Sequence, residues 1–391
     1  MVCSQIHISI RRNLLYVINL AIYYYLRKIV AIILNSVYKF NDSLIFAVLM
    51  FSGAFFGGLT IFIYQKHFLK KKIKKVQYLG IELISESKKM NKRDDSIKII
   101  FLICFAAFFN FMQFTIASFY IPKFFIVSPT ATYRFGVIII LIGALLCHYN
   151  LRIKLFKHQF YSLVILAACS VFIILFEYIY RKSGTSLGDF YLVYLFVFLN
   201  LIFVAFTDII EKYLLEFNYV NPFSTLFTGS FFDLLFLSIY SIGENPFKDI
   251  KRQYEKCDSV EFIFLIFLLF LYFSFSAGTN VYKILTNGIY SPMVKTLAVY
   301  IFNPILFIYY FILGGDFLSN GERNYFYFII NMIFAIVISF FGCVYNEFLV
   351  LSFCGLDYET HYAISRRASD KNIDRYLSMN ELDILMDVDD E

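Results

Sequence analysis

Charged side chains are scarce in this chain. Asp, Glu, Lys and Arg make up 16% of the 391 residues, whereas 60% are hydrophobic and the mean hydropathy is +0.68. A soluble domain carries about 25% charged and about 45–50% apolar residues, so the matching solvent is a lipid bilayer. That excludes a soluble enzyme, a disordered chain and a nucleic-acid-binding protein.

Other absences narrow the reading further. Trp is missing beside 50 Phe and 31 Tyr, a bias that AT-rich codon usage explains as readily as selection, so no aromatic binding box is read from it. The seven Cys are scattered without a CxxC or a Cys/His ligand spacing, and only Cys257 falls in a predicted outer loop. Neither a disulfide framework nor a metal site is expected. The chain also lacks HExxH, GxGD and Walker A patterns, which speaks against a membrane enzyme of those classes and against ATP-driven pumping. No cofactor is implied.

What is present is a series of apolar runs long enough to span a bilayer, each about 20 residues. They predict ten spans, near 14–35, 43–65, 98–120, 134–151, 160–180, 190–210, 222–243, 261–281, 290–313 and 326–352. Arg11 and Arg12 before the first run resemble a secretory leader. No small-residue cleavage site follows and the run continues through Tyr23, Tyr24 and Tyr25, so a retained span is expected. Arg27 and Lys28 interrupt it, so it either continues past them or ends there, leaving 29–42 as an outer connection.

The basic residues set the orientation. Of 35 Lys and Arg, 22 flank the spans on the side of the N-terminus, nine flank them on the other side, and four lie inside them. Both termini are therefore expected to be cytoplasmic. Most of the bias comes from loop 66–97 with Lys70, Lys71, Lys72, Lys74 and Lys75. It reads first as a solvated topology anchor and second as a contact for anionic lipid headgroups. Tail 353–391 ends in acidic residues from Glu381 to Glu391 and reads as largely disordered. Arg366-Arg367-Ala368-Ser369 offers a basophilic-kinase pattern, and residues 381–385 a sorting pattern. Asn41-Asp42-Ser43 is a glycosylation sequon close to a span.

The most informative pattern is internal. Met50-Phe51-Ser52-Gly53-Ala54-Phe55-Phe56 aligns with Leu226-Phe227-Thr228-Gly229-Ser230-Phe231-Phe232, and Ile63-Tyr64 with Ile239-Tyr240, at a constant offset of 176 residues. A looser echo joins Ser128-Pro129 and Arg134 to Ser291-Pro292 and Lys295. Span two matching seven and four matching nine is what a five-plus-five duplication predicts. Five being odd, the second half is inverted in the membrane, an arrangement found in transporters. The expected fold is an all-α membrane protein with ten transmembrane helices as two inverted five-helix repeats. Residues 1–180 hold the first repeat, 181–352 the second and 353–391 the tail. Small residues at Ser52, Gly53, Ala54, Gly57 and Gly58 also allow close helix approach.

A cation near the bilayer centre costs about 2.5–3.5 kcal/mol on insertion scales, so such groups face a partner or a polar cavity. Arg134 and Lys295 occupy equivalent places in the two repeats. One reading has them neutralise an anionic substrate together, and the other has both snorkel to the headgroups. For Arg27 and Lys28 snorkelling is expected. Asp233, in mid-span, either pairs with a cation or carries a coupling proton, and its repeat counterpart is Gly57. Asn110, Gln113, Asn200, Asn280, Asn303 and Asn331 are expected mostly as interhelical ties, with Asn110, Gln113 and Asn280 as alternative cavity-lining groups. Asn303-Pro304 marks a kink.

Two further stretches carry a family resemblance. Ala131-Thr132-Tyr133-Arg134, followed by Leu151-Arg152-Ile153-Lys154-Leu155-Phe156-Lys157-His158-Gln159, and Glu211-Lys212-Tyr213-Leu214 leading to Asn221-Pro222, resemble the drug/metabolite transporter superfamily. Tyr290-Ser291-Pro292-Met293 through Asn303-Pro304, then Phe341-Gly342-Cys343-Val344-Tyr345-Asn346-Glu347 to Arg366-Arg367-Ala368, resembles a protist branch related to solute carrier family 35. The resemblance covers roughly residues 10–368. It implies alternating access around a central cavity and exchange of nucleotide sugars or sugar phosphates in endomembranes such as Golgi or ER. The Gly-Ala-x-Asn-Lys element of some nucleotide-sugar carriers has a loose echo in Gly278-Thr279-Asn280-Val281-Tyr282-Lys283. The Lys-Arg pair of plastid sugar-phosphate carriers stands here as Lys295-Thr296.

Two functions follow as expectations. The first is a secondary transporter moving a small organic solute, anionic by the cations it would meet, through a cavity lined by Tyr133, Arg134, Asn280 and Lys295 with Asp233, Asn110 and Gln113. The second is a non-transporting scaffold or sensor that recruits cytoplasmic partners through its basic loop and tail. Membrane lipids are partners in either case, and a homodimer stays open.

Overall fold

Backbone polar groups in hydrocarbon must be satisfied within their own segment, so long apolar runs fold as helices. The computed structural model describes residues 6–8, 14–40, 42–69, 92–120, 136–150, 155–179, 187–216, 218–242, 251, 258–290, 292–301, 303–312, 318–319, 322–351, 355–356, 358, 360 and 363. The helices are α1 (Leu14–Tyr38), α2 (Ser43–Tyr64), α3 (Lys92–Thr115), α4 (Gly136–Asn150), α5 (Lys157–Ile179), α6 (Leu187–Glu216), α7 (Pro222–Tyr240), α8 (Ser259–Ile289), α9 (Pro292–Tyr300), α10 (Asn303–Ile312) and α11 (Tyr325–Tyr345). One π-helical turn continues each of α2 and α3, at Gln65–Leu69 and Ile116–Tyr120.

Among these, α1, α2, α3, α5, α6, α7, α8 and α11 are long and apolar enough to cross a membrane, and α4 is a shorter apolar helix. Large apolar side chains such as Leu15, Phe101, Val260 and Ile263 are exposed, whereas Asp208, Lys295, Asn287 and His158 are buried. An apolar outside with polar groups inside is the arrangement of a multi-pass integral membrane protein.

Local sequence fixes where the helices start and stop. Asp42 caps α2, its Oδ1 accepting from the Leu44 and Ile45 amides at 2.9 and 3.1 Å. Asn221 caps α7 in the same way, with Pro222 in the first turn where its missing N–H costs nothing. The sequon residue Ser43 is thus the first residue of a helix; Asn41 lies outside the described residues.

Several expected boundaries are corrected. The first span runs past Arg27 and Lys28, as its 14–35 bounds expected, and only its end moves, to Tyr38. Span six extends to Glu216 and span eight to Ile289, so Lys212 and Lys283 sit in helices rather than in loops. Span nine is broken into α9 and α10 next to Pro304. Span ten ends at Tyr345, where Glu347 takes a left-handed φ of 59° and turns the chain. Its buried carboxylate then lies 3.4 Å from the buried His158 imidazole at the start of α5.

Beyond that turn, β4 (Leu349–Leu351) pairs antiparallel with β1 (Ile6–Ile8), and β2 (Leu318–Ser319) pairs with β3 (Glu322–Arg323). The helices pack in a defined set of pairs. α1 lies on α8 and α9, α2 on α7 and α8, and α3 on α6 and α7. α4 contacts α5, α6 and α9, α11 contacts α5, α9 and α10, and α8 also meets α6 and α7. Gly53 permits the α2–α8 contact, since a Cβ there would come within 2.7 Å of the Phe273 carbonyl oxygen. Gly278 lets the Tyr23 ring lie against α8, where it stacks on Tyr282 with centroids 5.5 Å apart.

Candidate functional site

A cavity of about 570 Å³ lies among α1, α2, α3, α4, α6, α7, α8 and α9. That volume is in the range that accommodates a small organic ligand. At one limit its wall includes Asn35, Ser43 and Ser118, where α1 and α3 end and α2 begins. At the other it includes Glu211, Lys283 and Lys295, where α6 and α8 end and α9 begins.

Five of the seven residues singled out from the sequence meet on this wall: Asn110, Gln113, Asp233, Asn280 and Lys295. Tyr133 and Arg134 lie outside the described residues, as do most of the basic loop and all of the acidic end of the tail. Asn110 donates from Nδ2 to Asp233 Oδ2 at 2.8 Å, joining α3 to α7. Asn280 instead donates to the Ser276 carbonyl one turn back, and Asn331 to the Tyr327 carbonyl. Those two bonds stay within one helix, so neither is the expected interhelical tie.

Lys295 is 5% exposed and forms an ion pair with Asp208, which is 1% exposed. It neither snorkels nor stands as an uncompensated cation, and an anion entering the cavity would compete with Asp208 for it. Asp208 was the residue that sequence reasoning passed over. It sits alone in the apolar run of span six, the same signal that drew attention to Asp233 in span seven.

Around this pair the ends of α6 and α8 are stitched together. Asn287 Nδ2 donates to the Asp208 carbonyl at 3.0 Å and to Glu211 Oε2 at 3.1 Å. Lys212 Nζ donates to the Gly288 and Tyr290 carbonyls at 3.3 and 2.9 Å and pairs with Glu216 at 3.1 Å. The last carbonyls of a helix lack intrahelical partners, so a lysine is well placed there. At the opposite end, Ser43 Oγ donates to the Ser118 carbonyl at 3.1 Å, a neutral bond between α2 and the turn after α3.

Arg27 and Lys28 also line the cavity, correcting the snorkelling expectation. Both are half-buried near the middle of α1, and both lie over the Tyr24 ring, at 5.4 and 5.7 Å from its centroid. An aromatic face is a favourable seat for a cation removed from water. Lys283 adds a further cation, within the electrostatic reach of Glu211, Asp208, Asp233 and Arg27. The wall therefore combines Arg, Lys and amide donors with two carboxylates, Glu211 and Asp233. Such a set can hold a polar, anion-bearing solute by charge-assisted hydrogen bonds. Among the described residues, no group of three or more His, Cys, Asp or Glu is placed to hold a metal ion.

Compared with known protein families and with curated proteins, the chain matches none.

Proposed function

We propose that the protein is a secondary transporter with ten spanning segments in two inverted five-helix repeats. It moves a small organic anion, of the nucleotide-sugar or sugar-phosphate class, by alternating access. The pairing of helices supports the repeat. Exchanging α1 with α6, α2 with α7, α3 with α8, α4 with α9–α10 and α5 with α11 turns the α1–α8 contact into α6–α3. It likewise turns α2–α8 into α7–α3, and α4–α6 into α9–α1. The contacts α2–α7, α4–α9 and α5–α11 map onto themselves. In this reading α9 and α10 are one broken span, as discontinuous helices near a transporter midplane often are.

The observation that carries the transport reading is one departure from this symmetry. α6 and α8 touch and are tied at their ends by Asn287 and Lys212, whereas the cavity lies between their counterparts α1 and α3. One side closed and the equivalent side parted is the state expected of a carrier in which two similar halves exchange roles. The positive-inside bias makes the tied side cytoplasmic. A polar cavity of this size also argues for transport over the scaffold reading, which would require no such space.

The test is counterflow in liposomes preloaded with nucleotide sugars or sugar phosphates. Wild-type protein is expected to show saturable exchange with at least one of these compounds. Exchange should fall at least tenfold in Lys295→Ala and in Arg134→Ala. Exchange unchanged in both variants would remove these residues from the site, and no exchange with any of the compounds would remove the function.

A further inference from the structure

We infer that Asp233 is a proton-binding site of the cavity, and that the solute enters together with a proton. This rests on the transport reading for its coupling, but the proton site itself does not.

Asp233 is 4% exposed in the middle of α7 and lines the cavity. Oδ2 accepts one hydrogen bond from Asn110, and Oδ1 has no hydrogen-bond partner among the described residues. A buried carboxylate kept permanently ionised is held by several donors or by a cation in contact. Asp208 has a cation in direct contact, Lys295. Asp233 has one amide donor, and the charges that reach it are Lys283 from α8 and Glu211 from α6. From α3 it meets Asn110, and the cavity wall contributed by α2 (Ser43, Phe46, Met50, Phe51 and Ala54) carries no ionisable group.

The step is one proton from the aqueous phase forming an O–H bond at Oδ1, with no other bond made or broken. Amide Nδ2 of Asn110 can remain bonded to Oδ2 in both protonation states, so protonation needs no repacking. It adds one positive charge to the wall, whatever the state of the groups around it, and so favours an arriving anion. By linkage the bound anion favours the proton equally. Proton and anion therefore load together and leave together, as in a symporter.

Two measurements test this. In the reconstituted full-length protein, infrared pH titration should reveal a protonated-carboxyl C=O band that is absent in Asp233→Asn and displaced in frequency in Asp233→Glu. A band identical in all three proteins would overturn the proton site, and this result stands whether or not any solute moves. For coupling, the probe is radiolabelled UDP-glucose, with the membrane potential clamped at zero. One coupled proton gives about tenfold accumulation per unit of pH gradient. Wild-type protein and Asp233→Glu should show this dependence, and in Asp233→Asn any remaining flux should be indifferent to the gradient. Gradient-driven accumulation persisting in Asp233→Asn would overturn the coupling. No UDP-glucose flux in wild type would overturn transport of that solute and leave the infrared titration to decide the proton site.

Discussion

The α2–α8 and α7–α3 contacts use the same sequence motif in opposite ways. On α2, Gly53 and Gly57 are pressed against α8, where an added Cβ would meet the Phe273 carbonyl at 2.7 Å and the Ala277 Cβ at 3.2 Å. On α7 the matching Gly229 has only Ile103 near it, at 3.8 Å, and lines the cavity. Where α2 has Gly57 in a tight seam, α7 has Asp233, reaching across to Asn110 on α3. Two similar stretches of sequence can thus serve packing on one helix and a polar role on the other. What decides is the space left by the facing helix.

The strongest way to break the comparison is to move the carboxylate. Gly57→Asp places an unpaired acid in the closed seam, and the expected loss exceeds about 4 kcal/mol, read as failure to recover monodisperse folded protein. Gly53→Ala presses a methyl group onto backbone atoms that cannot swing away. It should cost about 3 kcal/mol, seen as a lower denaturation midpoint in detergent. Asn110→Leu removes the Asn110–Asp233 hydrogen bond across the open seam and should cost about 1 kcal/mol by the same measurement. Gly229→Ala, on the open side, should stabilise by roughly 0.5 kcal/mol through helix propensity alone. Equal effects at Gly53 and Gly229 would erase the distinction between the seams.

The sequence made the elements legible because apolar runs of spanning length have few alternatives in lipid. The 176-residue offset also brought together α2 and α7, which do pack on one another. Boundaries were misread where a charge was taken to end a span. Lys283 was placed in a loop, yet α8 carries it six residues before its end, facing other charges across the bundle. Arg27 and Lys28 were sent to the headgroups because snorkelling is the usual fate of a long cation. Hydropathy could not show that Tyr24 and a cavity lie beside them. The partner of Lys295 was hidden for a different reason. Asp208 is 87 residues away in sequence, and only the meeting of α6 with α9 brings the two charges together.

The small ribbon formed by β1 and β4 has a topological consequence. Residues 6–8 precede α1 and residues 349–351 follow α11, and their backbone hydrogen bonds hold the two segments side by side. Two strands paired this way share one side of a membrane when the chain between them crosses it an even number of times, as the ten proposed spans do. With the eight long helices of the described residues all crossing, an even count has the short α4 and the broken α9–α10 cross together or not at all. A reporter inserted between α10 and α11 and another between α4 and α5 would expose that choice directly.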